Sequence, residues 1–289
     1  MKILDLYGRE KPVLSLEIFP PRVDYPLETI FETLDHLQTL NPGYISVTYG
    51  AGGSNRARTV EIAARIKREY GIESLAHLTC VRHTRAEVDQ ILDQLADEGI
   101  RNILALRGDL PEDDPDFDLS QQDYRFAYEL INDICKKADF GVVAAAYPAG
   151  HPECLRLKDD LYNLKQKVEC GVDFLITQLF FDNRIYYDFI DKALAMKIDC
   201  PVVPGIMPVL NARSIRRTIY LCGASIPGSL LKLVDKYEHN ADSMEKAGIE
   251  YASMQVDDLL TSGVPGIHLY TMNKHRQIIE IVKNVGLVE

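Results

Sequence analysis

Leu104-Ala-Leu-Arg-Gly-Asp-Leu-Pro111 is a short apolar run that ends at a charged turn. The apolar residues are typical of a buried strand, and Gly108 at the turn would let the backbone approach a ligand closely. Arg107 offers a planar fork of donors to a phosphate or carboxylate group, and Asp109 adds a fixed negative charge. Taken alone, the turn fits a solvated surface ion pair equally well. The rest of the chain is needed to distinguish a ligand-binding turn from such a surface turn.

The same pattern, an apolar strand followed by a polar turn and a helix, recurs along the whole chain. Strands are predicted at 13–19, 44–48, 75–79, 102–106, 141–147, 174–178, 201–206 and 266–270. Prolines weaken the seventh of these, because proline cannot donate to a sheet ladder. Apolar strands without alternation indicate a sheet covered on both faces, and therefore a parallel one.

Helices are predicted between these strands. Apolar stripes and stop signals place helical segments at about 26–37, 60–66, 84–98, 122–137, 159–170, 185–196, 211–222, 228–262 and 273–284. Thr84 and Glu87 form a capping-box signature for the third, which Gly99 ends. Eight βα units over residues 1–289 predict one (β/α)8 TIM-barrel domain. The alternative, an open doubly wound sheet, would usually carry a Gly-x-Gly-x-x-Gly turn after its first strand, and this sequence lacks one.

The composition argues against several classes of function. The formal net charge is −11 and no basic run offsets it, which argues against nucleic acid as a partner. No signal peptide or membrane-spanning run is evident, and the six cysteines stand singly without zinc or disulfide spacing. We therefore expect a cytoplasmic protein without a metal site.

Polar residues stand at the carboxyl ends of most predicted strands, and in a barrel these ends meet at one mouth. They are Glu17, Thr48, Tyr49, His77, Arg107, Asp109, Tyr147, Gln178 and Tyr270. A lone histidine such as His77 is more often a core residue than a ligand. Glu17 has fewer ordinary explanations, because a carboxylate in an apolar strand is costly to ionise and a protonated acid is what general acid catalysis needs.

The loop and helix after the fifth strand supply a second polar group. Tyr147 and His151 stand on the loop, and Asp160, Asn163 and Lys167 share one face of the following helix. Such a face is usually only solvated. Here it lies one loop from the barrel mouth, where it would reach the phosphates or ribose of a long ligand.

Several of these segments together resemble the motifs of the methylenetetrahydrofolate reductase family. The similarity runs in order from residue 15 to about 275 and is carried by Leu16-Glu-Ile-Phe-Pro-Pro-Arg22, Val47-Thr-Tyr-Gly-Ala51, Ala76-His-Leu-Thr79, Ala105-Leu-Arg-Gly-Asp-Leu-Pro111, Ala145-Ala-Tyr-Pro148, His151-Pro-Glu153, Ile176-Thr-Gln178, Phe180-Phe-Asp182, Pro204-Gly-Ile-Met-Pro208 and His268-Leu-Tyr-Thr-Met-Asn273. Each motif is short, but the set is specific. The resemblance implies a (β/α)8 flavoprotein with FAD at the C-terminal face of the strands.

The resemblance also implies a reaction and roles for individual residues. Ping-pong hydride transfer would reduce 5,10-methylenetetrahydrofolate to 5-methyltetrahydrofolate, with Glu17 as general acid and Asp109 tuning the flavin. The cofactor contacts it implies are Tyr49, Ala51, His77, Arg107, Gly108, Asp109, Ala127, Tyr147, His151, Asp160, Asn163 and Lys167. The substrate contacts it implies are Glu17, Thr48, Asp109, Gln178, Tyr270 and Lys274.

The electron donor is left open by departures from the family pattern. Ser214 and Thr218 replace a glutamine and a phenylalanine of better-known bacterial members, and Lys274 replaces an arginine. The donor is therefore NADH, NADPH or reduced ferredoxin delivered by a partner subunit, and a homo-oligomer is expected. The alternatives are a (β/α)8 lyase or aldolase, for which no strand-end lysine or metal cluster is seen, and a non-catalytic flavin- or folate-binding subunit.

Overall fold

Parallel strands form a single sheet that curls around a central axis. The computed structural model describes residues 1–8, 11–22, 24–50, 56–111, 114, 116–137 and 139–288. The strands in these ranges are β1 Val13–Ile18, β2 Tyr44–Val47, β3 Glu73–Thr79, β4 Asn102–Leu106, β5 Gly141–Ala146, β6 Phe174–Thr177, β7 Val202–Val203, β8 Gly205–Ile206 and β9 Gly266–Tyr270. They pair in the order β7-β6-β5-β4-β3-β2-β1-β9-β8, and every pairing is parallel.

The two ends of this strand order meet at Pro204. β7 pairs with β6 and β8 pairs with β9, and only Pro204 separates β7 from β8. The carbonyl of Pro204 accepts a hydrogen bond of 3.0 Å from the backbone of His268, which continues the contact with β9 across the break. β7 and β8 are thus the two halves of the seventh predicted strand, interrupted where proline has no N–H to donate. The sheet closes, and the predicted (β/α)8 barrel is confirmed.

Helices follow the strands and cover the outside of the barrel. They are α1 Glu28–Leu37, α2 Arg56–Tyr70, α3 Arg85–Asp97, α4 Ala127–Lys137, α5 Leu157–Glu169, α6 Asn183–Ala195, α7 Ala212–Cys222, α8 Gly228–Tyr237, α9 Ala241–Thr261 and α10 His275–Asn284. The predicted capping box of Thr84 and Glu87 is confirmed at the start of α3. Among the described residues, no helix combines the length and the apolar character needed to cross a bilayer.

Two helix predictions need correction. The helix predicted from about residue 122 begins at Ala127, because the Glu129 carboxylate accepts from the N–H groups of Arg125 and Phe126 and so marks the helix start. The segment predicted as helical over 228–262 is two helices, since the side chain of Asn240 caps a new start at α9. In both cases a side-chain cap, rather than the apolar stripe, sets the boundary.

Side chains that point into the barrel change from apolar to polar along its axis. Tyr44 and Leu75 belong to an apolar cluster inside the amino-terminal half. Because strand side chains repeat every two residues, Ser46 and His77 stand one layer above them on the same face. Glu17 stands two layers above Val13, a member of the same cluster. A polar layer therefore lies under the carboxyl ends of the strands, where the predicted site residues meet.

The opposite end of the barrel is closed by the start of the chain. A 3-10 helix, Ile3–Leu6, places both of its terminal side chains in the apolar interior cluster. The backbone N–H of Ile3 donates to Asn102 at 2.8 Å, and the hydroxyl groups of Tyr7 and Tyr44 lie 3.0 Å apart. The amino-terminal mouth is thus filled by side chains, and a ligand has to enter from the other end.

Substitution of Gly248 tests the packing of the fold. Gly248 lies in α9 against the chain after β8. A Cβ added at Gly248 would lie 1.9 Å from the carbonyl oxygen of Val209. We expect Gly248→Ala to lower the free energy of unfolding by about 1–3 kcal/mol through overpacking, although alanine favours a helix. Gly228→Ala is the matched control, because a Cβ there meets nothing within 4 Å. Urea unfolding followed by circular dichroism compares them, and equal midpoints would contradict the close packing of α9.

Candidate functional site

The carboxyl group of Glu17 lies inside the barrel near the end of β1. The residue is 7% exposed, as the sequence predicted. Its apolar neighbours in the chain are not its neighbours in space, which corrects the picture of an acid surrounded by apolar groups. Oε2 lies 3.4 Å from Ser46 Oγ, 3.4 Å from His77 Nε2 and 3.5 Å from His268 Nε2. The acid therefore shares a buried polar cluster, which reduces the free-energy cost of its burial.

Two buried imidazoles face this acid, and sequence reasoning identified only one of them. Among the described residues, the Nε2 atoms of His77 and His268 have no hydrogen-bond partner of good geometry, and both lie within 3.5 Å of Glu17 Oε2. His268 was missed, although its two-residue spacing from Tyr270 on the same strand gave the signal. Burial lowers the pKa of His77 to about 4, despite the opposing effect of Glu17. His77 is therefore neutral at pH 7.

The other ring nitrogen of His268 is held by β1. Ser15 Oγ donates to the carbonyl of Ile267 at 3.2 Å and lies 2.9 Å from His268 Nδ1. Either Ser15 Oγ or His268 Nδ1 can be the donor in this second contact, which in both cases holds the imidazole ring against β1.

Tyr270 and Gln178 border the acid on the β6 side. The hydroxyl of Tyr270 donates to the carbonyl of Thr177 at 2.7 Å, and burial holds the pKa of Tyr270 well above its ordinary value. A Cβ on Gly205 would lie 2.7 Å from the Tyr270 ring, so glycine is needed for this packing. Gln178 Oε1 accepts from the backbone of Leu179 at 2.9 Å, which fixes the orientation of the amide. Both predicted substrate residues thus have defined positions.

The turn after β4 is shaped by Gly108. Its φ of 90° is in the left-handed region, and a Cβ would lie 2.8 Å from Val81 Cγ1 and 3.0 Å from Thr79 Cβ. Arg107 donates through both terminal nitrogens to the carboxylate of Glu153, at 2.6 Å each, and this ion pair holds the pKa of Glu153 below its usual range. Glu153 was not predicted as a partner. An anion that binds Arg107 has to share or displace this carboxylate.

The loop after β5 and helix α5 bring together most of the second predicted group. The backbone N–H of His151 donates to Asp160 at 3.0 Å, and the His151 ring lies 4.5 Å from that of Tyr147. Lys167 donates to the carbonyl of Ala145, and burial lowers the pKa of Lys167 to about 8. Asn163 is exposed on the same helix. These contacts tie α5 to the end of β5.

The remaining predicted residues lie at the rim or outside the described part. Thr48 donates its backbone N–H to Ile18 at 3.1 Å, and the buried Tyr49 has its hydroxyl 3.5 Å from His83 Nε2. Ala127 begins α4, the exposed Lys274 precedes α10, Asp109 is exposed on the β4 turn, and Thr218 lies half-buried on α7. Ala51 and the side chain of Ser214 lie outside the described residues.

The groups at the mouth suit the anionic dinucleotide FAD. Arg107 and Lys167 supply positive charge, and the bare Cα of Gly108 lets a ligand approach the backbone. Within the described part of the chain, His77 adds a buried Nε2 atom without a hydrogen-bond partner. These residues, on β3, on the turn after β4 and on α5, could hold an anionic dinucleotide without a glycine-rich turn.

Comparisons with known proteins show the family to which the chain belongs. The family model for methylenetetrahydrofolate reductase matches residues 2–286. Methylenetetrahydrofolate reductase (NADH) 1 of Arabidopsis thaliana is 33% identical over 299 residues, covering 100% of this chain and 50% of that protein. The 5,10-methylenetetrahydrofolate reductase of Escherichia coli K12 is 35% identical over 274 residues, covering 95% of this chain and 90% of that protein. The chain thus spans half the length of the plant relatives and nearly all of the bacterial ones.

Solved structures share the fold at low sequence identity. A Clostridium thermocellum protein that binds two copies of 5-methyl-5,6,7,8-tetrahydrofolic acid has a TM-score of 0.66 and 13% identity, covering 98% of this chain and 96% of that one. A dihydropteroate synthase from Coxiella burnetii in complex with pteroic acid has a TM-score of 0.53 and 10% identity, covering 96% and 94%. At these identities the likeness establishes the barrel alone.

The buried His77 generates a prediction about pH and stability. Its pKa is about 4 in the folded chain and 6.5 when unperturbed, so the unfolded chain binds more protons between these values. His77 therefore makes stability fall as pH drops from 6.5 to 4, by up to about 3 kcal/mol. We expect His77→Gln to show a shallower acid decline in urea unfolding of the cofactor-free protein. The exposed His239→Gln is the matched control, and parallel curves for wild type and His77→Gln would refute the assignment.

Proposed function

The chain belongs to the methylenetetrahydrofolate reductase family, and from this premise we propose that it reduces 5,10-methylenetetrahydrofolate to 5-methyltetrahydrofolate with bound FAD. The reaction adds one hydride and one proton to the folate. The barrel mouth supports both needs, because it joins an anion-binding rim to a buried acid. NADH in the names of the plant relatives supports NADH as one donor, beside NADPH and reduced ferredoxin.

The single observation that carries the proposal is the position of Glu17. It is a carboxyl group on a strand of the barrel interior, within 3.5 Å of a serine hydroxyl and two imidazoles. A purely structural acid would be expected to form short ion pairs, whereas these contacts are long and the facing histidine His77 is neutral. Such a group is available to hand a proton to a bound substrate.

Glu17 and Asp109 have separate tasks in the proposed reaction. Glu17 protonates the folate nitrogen whose departure opens the five-membered ring, and the resulting iminium accepts hydride at its exocyclic carbon. Bound FAD supplies the hydride chemistry that no side chain has. Asp109, on the turn after β4, places negative charge near the reacting rings and so favours release of hydride to the folate.

The remaining mouth residues bind and orient the cofactor and the folate. Arg107, His151 and Lys167 hold the phosphates and ribose of the cofactor, and Lys167 is protonated below its pKa of about 8. Gln178, Thr48 and Tyr270 surround the pterin, and Lys274 at the rim meets the glutamate tail as a point charge. Because donor and folate use the same mouth in turn, the kinetics are ping-pong.

A first experiment tests the whole proposal. We expect the purified protein to carry a flavin spectrum that bleaches anaerobically with one of NADH, NADPH or reduced ferredoxin, offered separately. The bleached protein should regain its oxidised spectrum when 5,10-methylenetetrahydrofolate is added, with 5-methyltetrahydrofolate formed in equal amount. A protein that neither binds flavin nor consumes the folate would refute the proposal.

Replacement of Glu17 tests the general acid. Glu17→Gln keeps the shape and the hydrogen-bonding capacity of the side chain but holds no acidic proton. We expect flavin binding and reduction by the donor to persist while reoxidation by the folate slows at least about a hundredfold. Stopped-flow absorbance measures the two half-reactions separately.

Asp109→Asn is the matched control for charge at the mouth. It should make the flavin easier to reduce and slow transfer to the folate, whereas Glu17→Gln should leave the flavin potential unchanged. Folate turnover at the wild-type rate in Glu17→Gln would remove Glu17 from the mechanism.

A further inference from the structure

We infer that Thr271 and Asn273, on the loop after β9, are positioning residues that hold the catalytic acid Glu17. The inference rests on the proposed function, because it concerns the orientation of the acid in that reaction. We call residues 271–274 the β9 clamp. Neither Thr271 nor Asn273 was among the predicted site residues, and each acts on the backbone of the segment that carries Glu17.

The β9 clamp contacts three consecutive peptide units at the end of the first strand. Thr271 donates to the carbonyl of Glu17 through both Oγ1, at 2.6 Å, and its backbone N–H, at 3.2 Å. Asn273 Oδ1 accepts from the N–H of Phe19 at 3.0 Å, and its Nδ2 donates to the carbonyl of Phe19 at 2.8 Å. An amide that pairs with both an N–H and a C=O has its orientation fixed by the partners. Four hydrogen bonds therefore connect the clamp to the segment from Glu17 to Phe19.

The clamp takes up the role of sheet pairing where that pairing ends. On the β9 side the ladder stops at Glu17 opposite Tyr270, and on the β2 side it stops at Ile18 opposite Val47. Pro20 and Pro21 follow and have no N–H to extend a ladder. Without the clamp, the backbone after Glu17 would be held by β2 alone.

Two consecutive left-handed residues shape the β9 clamp. Met272 and Asn273 have φ values of 49° and 56°, although neither is glycine. Their surroundings hold them in this conformation. Inside the turn, the N–H of Asn273 donates to Thr271 Oγ1 at 3.0 Å, and the N–H of Lys274 donates to Thr271 O at 2.8 Å.

The side chain of Glu17 depends on this support. Its carboxyl contacts with the described residues are no shorter than 3.4 Å, so none of these residues anchors the carboxyl group by a short hydrogen bond. Its direction is then set by the backbone, which the clamp fixes on both sides of Ile18. Lys274, the proposed partner of the folate tail, ends the same clamp. One rigid turn thus sets the distance between the proton donor and the tail-binding charge.

Asn273→Gly is the sharpest test, because glycine accepts a φ of 56° without strain and removes only the side-chain hydrogen bonds. We expect reduction of the flavin by its donor to be unchanged and the rate constant for the folate half-reaction to fall at least tenfold, with less than a twofold change in KM for the folate. The pH profile of the folate step should also shift. Hydrogen exchange at the Phe19 amide should accelerate, which reports loss of the clamp without reference to activity.

Two further variants complete the design. Asn273→Asp keeps the acceptor for Phe19 N–H but replaces the donor with a charged oxygen that repels the Phe19 carbonyl, so its folate rate should also fall below that of wild type. Asn41→Gly is the control, because Asn41 also has a left-handed φ, 49°, at an exposed turn after the 3-10 helix Gln38–Leu40. It should leave both half-reactions at wild-type rates.

The outcomes separate the clamp from the proposed function. Faster exchange at Phe19 with a wild-type folate rate and pH profile would show a structural contact only and overturn the inference, as would unchanged exchange at Phe19. A wild-type protein that does not reduce the folate would instead overturn the proposed function and the catalytic meaning of the clamp together.

Discussion

Burial of one carboxyl group constrains the upper half of this barrel. An acid inside a sheet is tolerated only where neighbouring strands supply polar partners, and Glu17 receives them from β2, β3 and β9. Those partners must point inward, which fixes the register of three strand pairs through the two-residue alternation of side chains. A slip of one residue in β9 would turn His268 outward and bring Leu269 against the acid.

Close packing also surrounds the break at Pro204. Gly205 passes so close to Thr177 and Tyr270 that a Cβ has no room, and the Tyr270 hydroxyl donates to the Thr177 carbonyl. A regular seventh strand would carry side chains into this space. The short β7 and β8 therefore close the barrel while leaving room for the Tyr270 ring beside His268, whose plane it meets at 90°.

The sequence was sufficient to predict the barrel and the positions of the strand-end residues, because the two-residue period of strands and the helical period are local signals. It was also sufficient for the family, which the family model and the relatives confirm. It did not reveal the partner of Arg107, since Glu153 is 46 residues away. Nor did it reveal the clamp of Asn273 on Phe19, which joins residues 254 positions apart. That the chain forms a single domain stays a prediction.

The charges that decide ligand binding at the mouth are those in direct contact with the ligand. The chain has a net charge of −11, and both proposed ligands, FAD and the folate, are anions. At physiological ionic strength the Debye length is about 8 Å, so the distant carboxylates are screened and the nearest groups decide. Arg107 is already neutralised by Glu153, which lowers the cost of holding a guanidinium there while no ligand is bound. A phosphate that displaced Glu153 into solvent would exchange one ion pair for another, so any gain in affinity would have to come from further contacts, for which Lys167 and the backbone at Gly108 are the proposed groups.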